Sequence, residues 1–511
     1  MAIKNYSRKL KPKFLDQILQ GIVTVPVSMN REIFEIALDS RKVVSNSCFF
    51  SLTGRKENGL NYIQDALSKG AVAIVADDKK AKKQCIKYGV PLFIVPELKK
   101  YLGTIAKRFY DDPSRELKLI GVTGTNGKTT IAYLLKGALQ YLKKSCLYIG
   151  TLGAGSLKFE DFLSLDNTTP DIFTLNNLFH THLQNGVTHC VLEASSIGLD
   201  QDRLQGLNLN IGIFSNITQE HLDYHNDFEA YKNAKAKLFR IENLQYAIIN
   251  IDDDFGCLLA DSLEEDIKLF KISLNQTKLK KDKSIIGAKN LTFNQEGCTF
   301  ELVHEAQTCL VRTRLIGRFN IFNLLSVAAV LISQNVSLDE VALILSAIGD
   351  VPGRMENCGK NSNGCPIYID YAHTPDALEN ALKSLRQVYS SPANKLLLIF
   401  GCGGDRDKNK RPSMGLIAEK YADSVMLTSD NPRNENPLGI IEDILVGIKD
   451  KSQIMINTDR ELAINISVKS AKKNDVILIA GKGHEEYQET FSGKKSFSDK
   501  LIIHKLLEEE R

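Results

Sequence analysis

The chain has no apolar run long enough to cross a bilayer, and its basic N-terminal segment, residues 1–14, lacks the apolar core of a secretory signal. These two absences predict a cytoplasmic location and no membrane partner. Internal repeats and low-complexity tracts are also missing from the 511 residues. With 43% hydrophobic and 25% charged residues, the composition is that of an ordinary globular protein.

An excess of one charge and closely paired cysteines are absent as well. The net charge is only +4 and basic residues are interleaved with acidic ones, so we expect no nucleic-acid partner. The cysteines contain no C-x-x-C pair, which favours reduced, mostly buried thiols over a zinc site or a disulfide framework. The ten cysteines are Cys48, Cys85, Cys146, Cys190, Cys257, Cys298, Cys309, Cys358, Cys365 and Cys402.

Short apolar, β-branched runs alternate with helical patterns, which predicts an α/β fold with parallel sheets covered by helices on both faces. Ligands of such folds gather at the carboxyl ends of the strands. Residues 291–303 alternate apolar and polar side chains around a turn and predict a β-hairpin. The runs are 71–76, 117–123, 190–194, 211–217, 247–251, 367–371, 396–400, 424–428 and 476–480.

The length and two local breaks predict three domains, taking roughly 150 residues as the size of a domain. Asp111-Asp112-Pro113-Ser114 marks the first break, and a Gly/Asn-rich stretch that begins at Val351-Pro352-Gly353-Arg354 and runs to Pro366 marks the second. We therefore expect domains over 1–112, 113–350 and 351–511, with the hairpin appended to the central one.

The most informative segment is 117–130, LKLIGVTGTNGKTT, an apolar run followed by a glycine-rich turn and Lys128-Thr129. A helix beginning at this turn would direct its free N–H groups toward phosphate oxygens, with Lys128 adding charge and Thr129 a hydroxyl for Mg²⁺. The spacing from Gly121 is one residue longer than the usual P-loop pattern. Even so, the predicted strand, the Lys128-Thr129 pair and the helical pattern that follows together predict an ATP site.

Further polar groups follow other predicted strands, and each has a plainer interpretation. Glu193 could bind Mg²⁺ or cap a helix. His221, in the run NITQEHLDYH, could be catalytic, metal-binding or structural. The predicted helix 231–240 carries Lys232, Lys235 and Lys237, which by themselves are typical of a solvated face.

The order of GTNGKT, EASSIGL, HLDYH and YKNAKAKLF resembles the Mur ligase family, ATP-dependent amide-forming enzymes of peptidoglycan synthesis, and the resemblance covers nearly the whole chain. It implies an N-terminal UDP-binding α/β domain, a central P-loop ATPase-type domain and a C-terminal Rossmann-like domain. It also implies that Lys235 is carbamylated, which would turn a cation into an anionic oxygen donor for Mg²⁺. The implied metal ligands are Thr129, Glu193, His221 and the Lys235 carbamate, and the implied catalytic residues are Lys128, His221 and Lys235.

By the same resemblance, the residues that hold the UDP-muramoyl dipeptide are Ser40 in DSRKV, Asn167, Thr168 and Thr169 in DNTTP, and Ser195, Gln201 and Arg203 in EASSIGLDQDR. The DNTTP loop could also be an ordinary Asx or Thr turn. Asn320 and Asn323 in GRFNIFN match the adenosine side of the ATP site, although asparagines can also cap helices. The implied ATP-binding residues are Gly124, Thr125, Asn126, Gly127, Lys128, Thr129, Thr130, Asn320, Asn323, Arg354, Asp370 and His373.

The motif DNPR, Asp430, Asn431, Pro432 and Arg433, resembles the form found in family members that add meso-diaminopimelate, whereas lysine-adding members usually lack the arginine. A guanidinium can bind the extra carboxylate of diaminopimelate through two charge-assisted hydrogen bonds. A proline turn is the plainer interpretation. The resemblance adds Arg406 in GCGGDRD and Gly481 and Glu485 in GKGHE to the same amino-acid site.

The resemblance thus implies ligation of meso-diaminopimelate to UDP-N-acetylmuramoyl-L-alanyl-D-glutamate, with ATP and Mg²⁺, through an acyl phosphate and by a monomer. One alternative is a related ligase that uses lysine or another amino acid, or a folylpolyglutamate-type synthetase. A second alternative is a P-loop switch in which ATP only drives a conformational change, but that hypothesis leaves DNTTP, DNPR and GKGHE without a role.

Overall fold

The computed structural model describes residues 10–54, 57–82, 89–220 and 222–509. Three large sheets lie along the chain, with helices between their strands, so the predicted α/β class is confirmed. The predicted domain bounds place one large sheet in each part, and the bounds themselves stay a prediction. No helix in the described ranges is long and apolar enough to span a membrane.

The first sheet is parallel, in the order β3-β4-β5-β6. A separate antiparallel pair, β1 with β2, precedes it. The elements are β1 (Lys13–Phe14), α1 (Leu15–Leu19), β2 (Glu32–Ile33), β3 (Glu35–Ala37), β4 (Ser47–Ser51), α2 (Ile63–Ser68), β5 (Ala71–Ala76), β6 (Leu92–Ile94) and α3 (Leu102–Tyr110).

The central sheet has the order β16-β15-β14-β13-β12-β11-β7-β10-β8-β9. It is parallel from β14 to β8 and antiparallel at both edges. Its elements are β7 (Lys118–Thr123), α4 (Lys128–Tyr141), β8 (Cys146–Gly150), β9 (Gly153–Gly155), α5 (Ile172–Gln184), β10 (His189–Glu193), α6 (Ser196–Asp200), β11 (Leu209–Phe214), α7 (Leu222–His225), α8 (Phe228–Ala236), β12 (Tyr246–Asn250), α9 (Asp254–Asp261), β13 (Lys268–Ser273), α10 (Gln276–Lys281), β14 (Ile286–Asn294), β15 (Gly297–His304), β16 (Gln307–Thr313), α11 (Arg318–Ser333) and α12 (Leu338–Ala347).

The third sheet has the order β17-β18-β22-β19-β20-β21 and is parallel except for β17. A small hairpin, β23 with β24, follows it. Its elements are β17 (Glu356–Lys360), β18 (Pro366–Asp370), α13 (Pro375–Val388), β19 (Leu396–Phe400), α14 (Lys410–Tyr421), β20 (Ser424–Leu427), α15 (Pro437–Leu445), β21 (Ile454–Ile456), α16 (Arg460–Ser470), β22 (Val476–Ala480), β23 (Tyr487–Thr490), β24 (Gly493–Ser496) and α17 (Asp499–Glu509).

Apolar packing joins these layers. One buried cluster runs from the first sheet, through α3 and α5, to one face of the central sheet, and a second buries the other face under α4, α11 and α12. Two further clusters cover the two faces of the third sheet. The strands buried on both faces are the Val- and Ile-rich runs that the sequence singled out.

The structure adds a strand that the sequence did not predict and moves the start of one predicted helix. The Gly/Asn-rich stretch after Arg354 contains β17, an edge strand with a register shift between Asn357 and Gly359, because an edge tolerates residues that a central strand excludes. The predicted helix 231–240 begins earlier, at Phe228, since the Asp227 side chain accepts a hydrogen bond from the N–H of Ala230. Its last turn is a 3-10 helix, Lys237–Arg240.

Candidate active site

The predicted phosphate loop joins β7 to α4, and α4 begins at Lys128. Gly124 and Gly127 have φ angles of +146° and +90°, and a Cβ atom would lie 1.9 Å from Ser215 Oγ at the first position and 2.5 Å from Asn323 Oδ1 at the second. A side chain at either position would therefore both strain the backbone and collide with a neighbour. The loop is held close to β11 and α11, with the free N–H groups of α4 at its end.

The loop is anchored by hydrogen bonds to the segment that follows β11. Thr125 N donates to Asn216 O (2.9 Å), and Asn126 N donates to Asn216 Oδ1 (3.0 Å). Thr125 Oγ1 also lies 3.0 Å from Tyr231 Oη on α8. His221, the predicted catalytic and metal-binding histidine of the same segment, lies outside the described residues.

Glu193 ends β10 beside the start of α4, and its carboxylate accepts four hydrogen bonds. The donors are Thr129 Oγ1 (3.0 Å), Tyr148 Oη (2.5 Å), Thr151 N (2.9 Å) and Thr151 Oγ1 (3.1 Å). The helix-capping interpretation of Glu193 is wrong, since Ser195 caps the helix that follows. A buried carboxylate next to a threonine hydroxyl is the hard oxygen donor set that suits Mg²⁺.

Lys235 is almost completely buried, with 1% of its surface exposed, so the solvated-face interpretation is wrong for this lysine. Its Nζ donates to Gly124 O (2.6 Å), the same carbonyl oxygen that accepts from Lys128 Nζ (2.9 Å). Burial, aided by the Lys128 charge, lowers the pKa of Lys235 well below its usual value. An uncharged amine at this position is the form that can react with CO₂.

Lys232 on α8 and Lys237 in the 3-10 turn after it are partly exposed, as a solvated face requires. Lys232 Nζ pairs with Glu229 (2.8 Å), and Lys237 Nζ pairs with Asp202 (3.0 Å). Burial thus distinguishes Lys235 from its neighbours.

Asn320 and Asn323 are buried inside α11, so the helix-cap interpretation is wrong for both. Asn320 Nδ2 donates to Ile316 O (2.8 Å), and Asn323 Nδ2 donates to Asn320 Oδ1 (2.9 Å). The close approach of Asn323 to Gly127 places this pair against the phosphate loop. Thr130, another predicted ATP-binding residue, lies buried on the first turn of α4.

The third sheet supplies polar groups to the same region. Arg354 Nη2 donates to Thr129 Oγ1 (3.1 Å), and its guanidinium lies 4.4 Å from the ring centroid of Tyr371. Asp370 ends β18, and burial raises the pKa of its carboxyl to about 6 although Arg354 opposes the shift. Burial also lowers the pKa of His373 to about 4, so this imidazole is neutral at pH 7.

The predicted dipeptide-binding residues lie at the end of β10. Thr169 Oγ1 donates to the main-chain oxygen of Glu193 (2.7 Å) and lies 2.9 Å from Ser195 Oγ. Arg203 donates to Gln201 Oε1 through Nε (3.0 Å) and Nη2 (2.7 Å), and Nη1 donates to Thr169 O (2.5 Å). Through Thr169, the DNTTP loop is therefore hydrogen-bonded to the main chain of Glu193, the predicted metal ligand. An ordinary Asx or Thr turn has bonds only within itself.

The other residues of this group lie nearby. Thr168 Oγ1 is 3.3 Å from Thr151 Oγ1, whereas Asn167 is exposed in the loop. Ser40 is buried in the first part of the chain, at the start of a 3-10 turn. The next residue, Arg41, donates to Asp166 (3.2 Å), so this turn contacts the DNTTP loop.

The DNPR loop follows β20 and meets the GKGHE motif that follows β22. Asn431 Nδ2 donates to Glu485 Oε2 (2.8 Å), and a Cβ atom at Gly481 would lie 2.3 Å from Asp430 Oδ2. Both strands flank β19, so the two motifs share one edge of the sheet. Lys482 is buried between them and donates to Asn431 Oδ1 (3.0 Å) and Glu485 Oε2 (2.9 Å).

Arg433 follows the buried Pro432, and the structure keeps its side chain partly buried, with 19% exposed. Its Nε donates to Glu489 Oε2 (2.9 Å), and its Nη1 donates to Gly404 O (2.8 Å). Arg406 lies exposed on the same glycine-rich loop. The two arginines flank Gly403, since atoms of both lie within 4 Å of the position its Cβ would take.

Known proteins resemble this chain over most of its length. The sequence matches models described as Mur ligase family, catalytic domain (residues 32–110), Mur ligase middle domain (122–331) and Mur ligase, glutamate ligase domain (353–483). A Chromobacterium violaceum protein named UDP-N-acetylmuramoyl-L-alanyl-D-glutamate–2,6-diaminopimelate ligase is 39% identical over 476 residues, 93% of this chain and 94% of that protein.

The chain belongs to the Mur ligase family. A solved structure of a UDP-N-acetylmuramoyl-L-alanyl-D-glutamate–2,6-diaminopimelate ligase is 34% identical, with a TM-score of 0.65, and the match covers 94% of this chain and 95% of that one. MurF ligase from Thermotoga maritima, solved in complex with ADP, shares the fold, with a TM-score of 0.61 and 18% sequence identity. That match covers 93% of this chain and 97% of the MurF chain.

Several residues of this Mur ligase site were missed by sequence reasoning. Tyr148 and Thr151 donate to Glu193, Lys482 joins the two amino-acid motifs, and Asp376 accepts a hydrogen bond from the phosphate-loop residue Asn126 (2.6 Å). Lys482 lies inside a motif that was recognised, so its buried position could have been suspected. Thr151 lies among glycines and Asp376 closely follows Asp370 and His373, but neither pattern shows which residue it contacts. Tyr148 lies inside an apolar strand, and only the fold brings all three to the site.

The cysteine prediction was confirmed for the described part of the chain, where the cysteines are free and mostly buried. Cys402, within the glycine-rich loop, is 3% exposed, and burial raises the pKa of its thiol to about 12. A protonated, enclosed thiol is unreactive, so Cys402 acts as a packed side chain rather than a nucleophile.

Proposed function

We propose that this chain joins meso-2,6-diaminopimelate to the D-glutamate of UDP-N-acetylmuramoyl-L-alanyl-D-glutamate, converting ATP to ADP and phosphate. The observation that carries the proposal is the meeting of DNPR and GKGHE. Asn431 and Glu485 are joined at 2.8 Å, and Arg433 lies on the same loop as Asn431. A carboxylate and a guanidinium near one another suit the distal ammonium and carboxylate of diaminopimelate. Relatives 34% and 39% identical bear the corresponding name.

The first chemical step is attack of the D-glutamyl carboxylate oxygen on the γ-phosphorus of ATP. A new O–P bond forms as the bond to the β-phosphate oxygen breaks, which gives an acyl phosphate and ADP. Lys128 and the N–H groups of the loop 124–128 offset the negative charge that accumulates on the phosphoryl oxygens. Arg354, in contact with Thr129, adds positive charge from the third part of the chain.

The oxygen donors around Glu193 fit a magnesium ion. Thr129 and Glu193 would hold it, together with a carbamate on Lys235, and His221 is assigned to the same group by the family motif. The lowered pKa of Lys235 supports the carbamate, because only an uncharged amine adds CO₂. When bound, Mg²⁺ supplies positive charge to the phosphoryl oxygens of the nucleotide.

The second step is attack of an uncharged amino group of diaminopimelate on the acyl carbon. The C–N bond forms, the C–O bond to phosphate breaks, and the amine proton leaves with the phosphate as HPO4²⁻ to give the amide. Arg433, Asn431 and Glu485 orient the amino acid, while Thr169, Ser195 and Arg203 hold the acyl donor. Alignment of two bound reactants supplies much of the acceleration.

An amino-acid panel in an amide-forming assay tests this function. We expect the native chain to use meso-diaminopimelate with little activity on L-lysine, because lysine leaves the guanidinium of Arg433 without a carboxylate. Arg433→Ala should lose chiefly its activity on diaminopimelate, by about 10²-fold or more. Arg433→Lys is the matched variant, since it keeps the charge but cannot form a bidentate pair.

Other outcomes would contradict the proposal in different ways. Turnover with lysine or glutamate in place of diaminopimelate would favour a differently selective ligase of the same fold. ADP release that needs neither the amino acid nor the UDP-muramoyl dipeptide would favour a P-loop switch.

A further inference from the structure

The guanidinium of Arg433 is already bound to a carboxylate of the chain itself. Glu489, on β23, accepts a hydrogen bond from Arg433 Nε at 2.9 Å. Its side chain is 32% exposed, and that of Arg433 is 19% exposed. Glu489 belongs to neither the DNPR nor the GKGHE motif, and the function proposed above leaves it without a role.

The main chain of Glu489 is fixed to the same loop by other bonds. Its N–H donates to Asn431 Oδ1 (2.9 Å), and its carbonyl oxygen accepts from the N–H of Arg433 (3.1 Å). Arg433 also forms an isolated parallel bridge with Thr490. Because these contacts involve the backbone of Glu489, a change of its side chain leaves β23 attached to the DNPR loop.

Two of the three guanidinium nitrogens of Arg433 donate hydrogen bonds to the chain itself. Glu489 accepts from Nε, and Gly404 O accepts one of the two Nη1 hydrogens (2.8 Å). Nη2 has no hydrogen-bond partner within the described residues. Both hydrogens of Nη2 and one hydrogen of Nη1 therefore remain to donate, and a guanidinium can bind a carboxylate through two parallel hydrogen bonds from these two groups.

We propose that Glu489 is a positioning residue that sets amino-acid selectivity by holding the guanidinium of Arg433 at Nε, so that its Nη1–Nη2 edge faces the distal carboxylate of the incoming amino acid. The inference rests on the function proposed above. An arginine side chain has several rotatable bonds, and a second anchor beside Gly404 O removes most of that freedom before the substrate arrives.

Two substitutions separate the hydrogen bond from simple bulk. Glu489→Ala removes the acceptor, and we expect the KM for meso-diaminopimelate to rise about tenfold while kcat and the KM for ATP change less than about twofold. Glu489→Gln keeps an oxygen acceptor for Nε, and its KM should stay within about threefold of the native value. Glu486→Ala, an exposed glutamate on the same segment, is the matched control and should behave like the native chain.

A double-mutant cycle shows whether Glu489 acts through Arg433. In an Arg433→Ala background, Glu489→Ala should change the KM for diaminopimelate less than about twofold, because there is no longer a guanidinium to position. Equal effects in both backgrounds, an unchanged KM in Glu489→Ala, or a Gln variant as impaired as the Ala variant would overturn the inference. If the native chain itself does not use diaminopimelate, both the proposed function and this inference are wrong. That outcome is distinguishable from the three above, in which the native chain is active and only the role of Glu489 is contradicted.

Discussion

At the scale of single residues, burial separates the functional groups from chemically identical neighbours. Lys232, Lys235 and Lys237 lie within six residues of sequence, yet of the three only Lys235 is enclosed and shares the Gly124 carbonyl with Lys128. Two ammonium groups on one acceptor repel each other, and the lowered pKa of Lys235 relieves that repulsion. Its uncharged form thus persists to lower pH than that of an ordinary lysine.

This contrast leads to a prediction for Lys235. Lys235→Ala and Lys235→Arg should lower kcat by about 10²-fold or more, because neither variant can form a carbamate near the phosphate loop. Carbon NMR of protein equilibrated with ¹³C-bicarbonate should give a carbamate signal in the native chain and none in either variant. Lys232→Arg, which changes a partly exposed lysine paired with Glu229, should keep both activity and signal. Full turnover by Lys235→Arg would contradict the prediction.

Part of this residue-level picture could be predicted from the sequence. Lys128 and Thr129 follow an apolar run and a glycine-rich turn, and Glu193 ends another apolar run, so local patterns suffice to find them. The partners of Glu193 could not be found in the same way. Tyr148 and Thr151 come from β8 and the turn after it, and although Gly150, Gly153 and Gly155 lie close by, no pattern in that stretch connects it to the end of β10.

At the scale of elements, the start of α4 depends on backbone conformations that only glycine adopts at low cost. Gly127 precedes the helix with a φ of +90°. Gly137 lies within the same helix, and the nearest atom to its missing Cβ, Ile348 Cγ2, is 3.6 Å away. The two glycines therefore have opposite roles, since the first is required by geometry and the second only adds backbone freedom to the unfolded chain.

Alanine substitutions should reveal this difference. Gly127→Ala should weaken ATP binding about tenfold or more and destabilise the fold by roughly 1–2 kcal/mol, because the new Cβ collides with Asn323 Oδ1 in a left-handed conformation. Gly137→Ala should leave ATP binding unchanged and raise the free energy of unfolding by about 0.5–1 kcal/mol. Calorimetric titration with ATP and urea denaturation measure the two effects. Similar behaviour of the two variants would rule out a special role for Gly127.

Element prediction succeeded where apolar runs are buried on both sides and was less accurate elsewhere. β5, β19 and β22 have the bounds that their β-branched runs predicted. The hairpin of β14 and β15 was anticipated, but the third antiparallel strand, β16, and the edge strand β17 were not. Edge strands depend on pairing with a partner that is distant in sequence, and their mixed composition gives little period-two alternation.

At the scale of the whole molecule, the central and third sheets meet at the phosphate loop. Arg354 reaches Thr129, and Asn126 Nδ2 donates to Asp376 Oδ2 (2.6 Å) at the first turn of α13. Both contacts involve residues of the loop 124–129, so the third part of the chain lies against the predicted nucleotide site. An arginine that comes from another part of the chain can neutralise transferred charge only when the parts are together.

Arg354→Ala should therefore lower kcat by about 10²-fold or more with a much smaller change in the KM for ATP. Arg314→Ala is a suitable control, because Arg314 is exposed and, among the described residues, its side chain pairs only with Asp350, at 3.4 Å. Steady-state kinetics with saturating acceptor and amino acid separate the two parameters. A raised KM for ATP at unchanged kcat would instead make Arg354 a nucleotide-binding group.

Glu193 forms hydrogen bonds to two separate loops, one through its side chain and one through its main chain. Its carboxylate holds the hydroxyl of Thr129, while its main-chain oxygen holds the hydroxyl of Thr169. Because one strand end carries both hydrogen bonds, a displacement of the predicted phosphate loop is transmitted to DNTTP, the loop predicted to bind the peptide acceptor. Selection cannot tune these two loops separately, so substitutions that adapt the enzyme to a new acceptor should arise together with compensating changes beside the triphosphate.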